Sequence, residues 1–240
     1  GTNTGLLISN LSGNYTIPVQ AGSYTITPIL QNPTYFNISP TNFVADFPIQ
    51  ASPLLQDFCI TANGVHHDVE VVNIHTGPAK PGFTTTYSII YKNNGNQVEN
   101  GTITLDFNDA VLDFLGSTPI SPSQSPNSLV WNYTNLLPSE VRWINFVFDL
   151  NSSSNIPVVN IGDVLNFTTN ITPLTSDENV SDNTSTLNQI VVGSYDPNDK
   201  ICIEGTTVGP GMIGQFVHYV IRFENTGTFA AENIVVKDMI

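Results

Sequence analysis

Basic residues are nearly missing from this chain. Six Lys and Arg stand against twenty Asp and Glu in 240 residues, for a net charge of −14. A surface that tracks phosphates needs clustered cations, so the balance argues against nucleic acid as a partner. It argues equally against docking on an anionic membrane surface. Long apolar runs are missing too. Nothing approaches the roughly 18 residues a bilayer-spanning helix needs, so no membrane insertion is expected. No basic stretch followed by an apolar one opens the chain, which places any export signal outside it. Cysteine is almost absent, with only Cys59 and Cys202, too few for a disulfide framework. They flank a central segment that reads as an elongated sandwich, whose two ends lie far apart. A bridge needs Cα atoms within about 7 Å, so none is expected between them.

Helical periodicity is the last absence. In its place, short alternating apolar runs recur every 8–12 residues or so, broken by Gly, Pro, Asn and Asp. Among them are YTIPV (15–19), YTITPIL (24–30), DVEVVNI (68–74), TYSIIYK (86–92), GTITLDF (101–107), WINFVFDL (143–150) and VLNFTTNI (164–171). This is the pattern of β-sandwiches. The fold class expected is all-β, with tandem Ig-like and transthyretin-like sandwiches in an elongated array.

An internal repeat sets the domain count. The stretch from Gly82, GFTTTYSIIYKNNGNQVENGTITLDF, aligns without a gap on GQFVHYVIRFENTGTFAAENIVVKDM from Gly214. Tyr87 falls on Tyr219, Ile89 on Ile221, Asn93 on Asn225 and Gly95 on Gly227. The shared Tyr-x-Ile-x-aromatic-x-Asn-x-Gly pattern puts large side chains on one strand face and ends in an Asn/Gly turn. Three domains are therefore expected. Residues 1–57 form a first sandwich, residues 58–193 a second, and residues 194–240 a linker with the opening strands of a third, cut short at Ile240.

Residues 13–28, GNYTIPVQAGSYTITP, resemble the carboxypeptidase-regulatory-like or Cna-B-like module of bacterial surface proteins. The central unit resembles the Ig-like repeat of such proteins. It carries Trp-x-x-x-x-Leu-x-Pro-x-Glu from Trp131 to Glu140, and Asp182-Asn183-Thr184 before its last strand. The run VVGSYDPNDK with HYVIRFENTGT is similar to the domain preceding the sorting tail in large proteins exported by the type IX secretion system of Bacteroidetes. The resemblance implies an extracellular or outer-surface protein that meets the type IX secretion machinery during export.

Several clusters carry candidate chemistry. On a strand, His66, Asp68 and Glu70 would share one face. Three ligands on adjacent rungs still lack a fourth, and a polar outer face is the plainer reading. Trp131 and Trp143 could fill a core or offer a stacking platform to sugars; Trp131 reads as core, and Trp143 stays open. No Gly-x-Ser-x-Gly elbow, phosphate-cradling loop or apolar carboxylate pair is visible, so no enzyme activity is expected.

The junction SYDPNDK gathers Asp196, Asn198 and Asp199. Calcium takes six to eight hard oxygens, and Asp177, Asp182 and Glu224 could supplement these three. The Asp-x-Asn-Asp spacing is similar to that of cadherin linkers, where calcium stiffens successive domains, but the likeness stops at Lys200. The competing reading is a rigid linker, with Pro197 fixing φ and Asx turns around it. The function expected is a non-catalytic structural or adhesive stalk. A module that binds glycan or protein, or an accessory region of a secreted enzyme, are the alternatives.

Overall fold

A computed structural model describes residues 5–10, 12–120, 123–152, 154–173, 175–193, 199–205, 207, 209, 212, 215–222, 225, 227–230 and 232. It is all-β, and it divides into two compact units, Gly1–Val65 and His66–Ile240.

The first unit holds strands β1 (Gly22–Ile26), β2 (Phe36–Ser39), β3 (Phe43–Phe47) and β4 (Cys59–Ala62). Strand β1 pairs antiparallel with β3, and β2 with β4. The sequence pattern offers YTIPV and YTITPIL as two successive strand runs. Instead residues 15–19 join no ladder, and the ladder partner of β1 lies some twenty residues downstream. Pro18 offers no N–H to a ladder, which disfavours pairing there. Because β4 completes a pair with β2, this unit runs to Val65, past the boundary expected at residue 57. Cys59 and Cys202 are free thiols.

The second unit is built on a β-sandwich. One sheet orders β5 (Val69–His75), β6 (Thr84–Asn93), β11 (Val141–Leu150) and β8 (Leu112–Thr118) as β5-β6-β11-β8. The other orders β13 (Thr184–Ile190), β12 (Val164–Ile171), β7 (Glu99–Asp106), β10 (Ser128–Leu136) and β9 (Ser123–Ser125) as β13-β12-β7-β10-β9. The alternation read from the sequence selects the inner faces. Tyr87, Ile89 and Tyr91 of β6 all lie in the core, as do Ile144, Phe146 and Phe148 of β11. From the opposite sheet come Ile103, Leu105, Trp131 and Phe167. Tyr87 stacks on Phe146 with ring centroids 5.3 Å apart and approaches Phe167 at 4.7 Å, so aromatic contacts tie one sheet to the other. Trp131 is core, 2% exposed, while Trp143 points outward at 49%.

The incoming strand and the outgoing strand lie side by side. Isolated parallel bridges join His67 to Asp177 and Ala79 to Val191. Between them the Asn73 N–H donates to Ser185 Oγ at 3.0 Å, and Gln189 Nε2 donates to the Gly77 carbonyl at 2.8 Å. Strands β5 and β13 therefore run in the same direction along one side of the sandwich. The chain enters at one end of this sandwich and leaves it at the other.

After the sandwich, β14 (Asp199–Cys202) pairs antiparallel with β15 (Tyr219–Arg222). The repeat seen in the sequence is a structural one at its turn. Asn93 Nδ2 donates to the Gln97 carbonyl, and the Gly95 N–H donates to Asn93 Oδ1. Asn225 Nδ2 donates to the Phe229 carbonyl, and the Gly227 N–H donates to Asn225 Oδ1. One Asn-x-Gly loop is built twice, with each Asn bonding forward to hold its own turn.

Candidate functional site

Three carboxylates converge where the chain enters the sandwich. Asp68 immediately precedes β5. Asp177 follows β12, drawn in by the parallel bridge to His67. Asp182 ends a single 3₁₀ turn, Val180–Asp182. One ligand oxygen from each lies within 4.8 Å of the others. Asp68 is buried and the other two are half-buried. Asp177 is held by the N–H groups of Val69 and Asn179, each donating at 3.0 Å. Asp182 Oδ2 accepts from Asn179 Nδ2 at 2.8 Å.

Packing three anions together has an electrostatic cost. Burial pushes the Asp182 carboxyl up to about 6 from 3.8, and the nearby charges of Asp68, Glu70 and Asp177 push in the same direction. Folded Asp182 therefore binds its proton more readily than the unfolded chain does. The stabilisation from that proton is complete below pH 3.8 and is lost as pH rises through about 6. In EDTA at constant ionic strength, lowering pH from 7 to 5 should raise the melting temperature, equivalent to about 1 kcal/mol after solvent screening. Asp182→Asn should flatten that slope. A melting temperature that rises from pH 5 to 7 would contradict the assignment.

The structure separates the residues expected to act together. His66, Asp68 and Glu70 do not form a ligand set, because β5 starts only at Val69 and the three side chains take different partners. His66 Nδ1 lies 2.7 Å from Glu178 Oε1, and Glu70 Oε2 accepts from Asn94 Nδ2. Only Asp68 joins the triad. Asp177 and Asp182, expected as supporting ligands of the junction, meet Asp68. Asp196, Asn198 and Glu224 lie outside the described residues, and Asp199 is described only as the first residue of β14. Asp68 was missed as a partner of Asp177 and Asp182 because nothing in the local sequence shows which distant loop lies against the start of β5. His218, at the edge of β15, pairs with Glu204 at 2.7 Å and stands exposed rather than in a cleft.

The family described as Domain of unknown function (DUF7619) matches residues 196–240. No curated protein matches the chain. Among solved structures, the CARDB domain of the PF1109 protein from Pyrococcus furiosus, in complex with di-metal ions, is similar at 14% identity and a TM-score of 0.38. That match covers 53% of this chain and 90% of that one. A solution structure of the same domain is similar at 14% identity and a TM-score of 0.34, covering 52% and 95%. BslA, a bacterial hydrophobin, is similar at 11% identity and a TM-score of 0.33, covering 53% and 96%.

Proposed function

We propose that this chain is a non-catalytic stalk segment of an exported bacterial protein, at the outer surface or secreted. The parallel run of β5 beside β13 carries this reading. A domain whose first and last strands are parallel passes the chain straight through. Tension on the two ends then loads the contacts between those strands together, in shear, rather than peeling them one at a time. Its polar bonds at Asn73–Ser185 and Gln189–Gly77 and its bridges at both ends sit across that line. Export by the type IX machinery, which the sequence resemblance implies, fits the same role.

Pulling the chain by its ends tests it. The central sandwich should yield in a single step. His66 to Gly193, at roughly 3.3–3.6 Å per residue, should release on the order of 400 Å of length. Release in several small steps at low force would mean the strands peel, and the stalk reading would fail.

A calcium ion at Asp68, Asp177 and Asp182 is part of the same proposal. Three carboxylates with no nitrogen or sulfur ligand among them form a hard-oxygen set of the kind calcium takes, with backbone carbonyls and water able to complete the shell. A bound cation would also relieve the repulsion that raises Asp182. The ion would fasten Asp177 and the 3₁₀ turn to the start of β5. Millimolar calcium should raise the melting temperature and EDTA should reverse it. Stabilisation at a hundredfold excess over Kd would be about 2.7 kcal/mol, and Asp182→Asn should lose most of it. A melting temperature indifferent to both calcium and EDTA would remove the site.

A further inference from the structure

The outer face of the four-stranded sheet carries an uncharged patch framed by charge. Strand registers stack three rungs across it. One is Val72–Ile90–Trp143, the next Ile74–Ser88–Asn145–Thr118, and the third Thr86–Val147–Gly116. Thr76 extends the third, its hydroxyl 2.9 Å from that of Thr86. None of these side chains is ionisable. Beyond the first rung Glu70 pairs in register with Lys92, and beyond the third come Asp149 and Asp113. The solvated face of an antiparallel sheet is ordinarily polar. This one mixes apolar groups with hydroxyls and an amide.

The patch is also uneven in a useful way. A shallow cavity of about 440 Å³ lies over Thr86, Asn145, Val147, Leu115 and Thr118. A second, of about 470 Å³, is lined by Trp143 and by the Asn132–Thr134 stretch of β10 in the opposite sheet. Strand β8 pairs with β11 only from Asn145 onward, so among the described residues Val141–Ile144 have no neighbouring strand on that side. Trp143 lines the second cavity and is 49% exposed. Arg142, which lines that cavity, is already committed. It makes two bonds to Glu140, at 2.7 and 3.0 Å, and donates to the carbonyls of Thr134 and Asn135.

We propose that this face binds a neutral glycan, with a pyranose ring stacked on Trp143 and adjacent rings answered by Asn145, Thr118 and Thr86. The C–H face of a pyranose is apolar and packs on an indole, while its hydroxyls need uncharged donors and acceptors spaced along the chain. The chain's net charge of −14 repels polyanions, and the patch offers no cation to overcome that. A second copy of the chain fits less well. Three rungs on four strands span on the order of 400 Å², about half of the roughly 800 Å² each partner contributes to a standard interface. This goes beyond the stalk reading, whose own test is mechanical, so either can fail alone.

Native gels containing hydroxyethyl cellulose, galactomannan, yeast mannan or dextran test the proposal, with hyaluronan as the anionic control. At least one neutral polymer should retard the 240-residue chain, and hyaluronan should not. Trp143→Ala and Asn145→Asp should each weaken that retardation at least tenfold, Trp143→Phe less, with melting temperatures unchanged. The proposal is overturned if no neutral polymer retards the chain, or if Trp143→Ala leaves retardation as it was. It is equally overturned if sedimentation shows a dimer that Trp143→Ala dissolves, which would make the face a self-association surface.

Discussion

Phe148→Ala should destabilise the central sandwich by about 3–5 kcal/mol. The ring is fully buried near the C-terminal end of β11. It lies 4.6 Å from Phe107 and 6.1 Å from Phe167 on the opposite sheet, and 5.7–6.0 Å from Phe146, Phe114 and Tyr87 on its own. No other ring described in the core touches so many. Removing it deletes apolar burial and leaves a cavity walled by aromatic rings that cannot readily collapse into it. Urea unfolding should show the midpoint falling with the slope m unchanged, and Phe148→Leu should recover a large share. The first unit should unfold as before, because Gly1–Val65 clusters separately. A loss under about 1 kcal/mol would mean that the two sheets do not close on this ring.

Gly101→Ala should be nearly as damaging, by the opposite mechanism. Gly101 lies inside β7, opposite Tyr133 of β10. Just past the end of β12, Thr172 crosses it, tied by reciprocal bonds to Thr102. The Thr172 N–H donates to the Thr102 carbonyl and the Thr102 N–H to Thr172 Oγ1, both at 2.9 Å. The Tyr133 hydroxyl donates to the Thr172 carbonyl from the other side. A Cβ at Gly101 would sit 2.0 Å from the Thr172 carbonyl oxygen and 2.8 Å from the Tyr133 hydroxyl. The carbonyl oxygen and its carbon, the latter 2.7 Å away, are backbone atoms that cannot rotate aside, so the crossing segment must shift. Overpacking of this kind costs about 3 kcal/mol. The melting temperature should fall by several degrees, and hydrogen exchange should quicken first at Thr102 and Thr172. A stable Gly101→Ala variant with unchanged exchange there would disprove the close crossing.

These two positions also show what could be read in advance. Phe148 follows from alternation alone, since Trp-Ile-Asn-Phe-Val-Phe-Asp-Leu at period two puts Phe146 and Phe148 on one face. Gly95 was legible as a turn residue, because the Asn-x-Gly pattern recurs at Gly227. Its deeper constraint was not: a Cβ there would meet the His66 carbonyl at 2.5 Å and the Asp68 N–H nitrogen at 2.8 Å. Gly101 gave no signal at all. It stands at the start of an unremarkable strand run, and only the crossing of Thr172 makes it special.

Alternation, turn residues and the gapless repeat depend on neighbours a few positions apart, so the sequence by itself determined an all-β chain, the inward faces of its strands and the doubled Asn-x-Gly loop. The acidic triad, the parallel course of β5 and β13 and the uncharged outer patch depend on which distant segments meet. Asp68 meets Asp177 and Asp182 because a parallel bridge draws one loop to the start of β5, and Trp143 stands open because it lies on the outward face of β11. Such meetings are decided by sheet order and register, which local patterning leaves undetermined, and only the tertiary structure decided them.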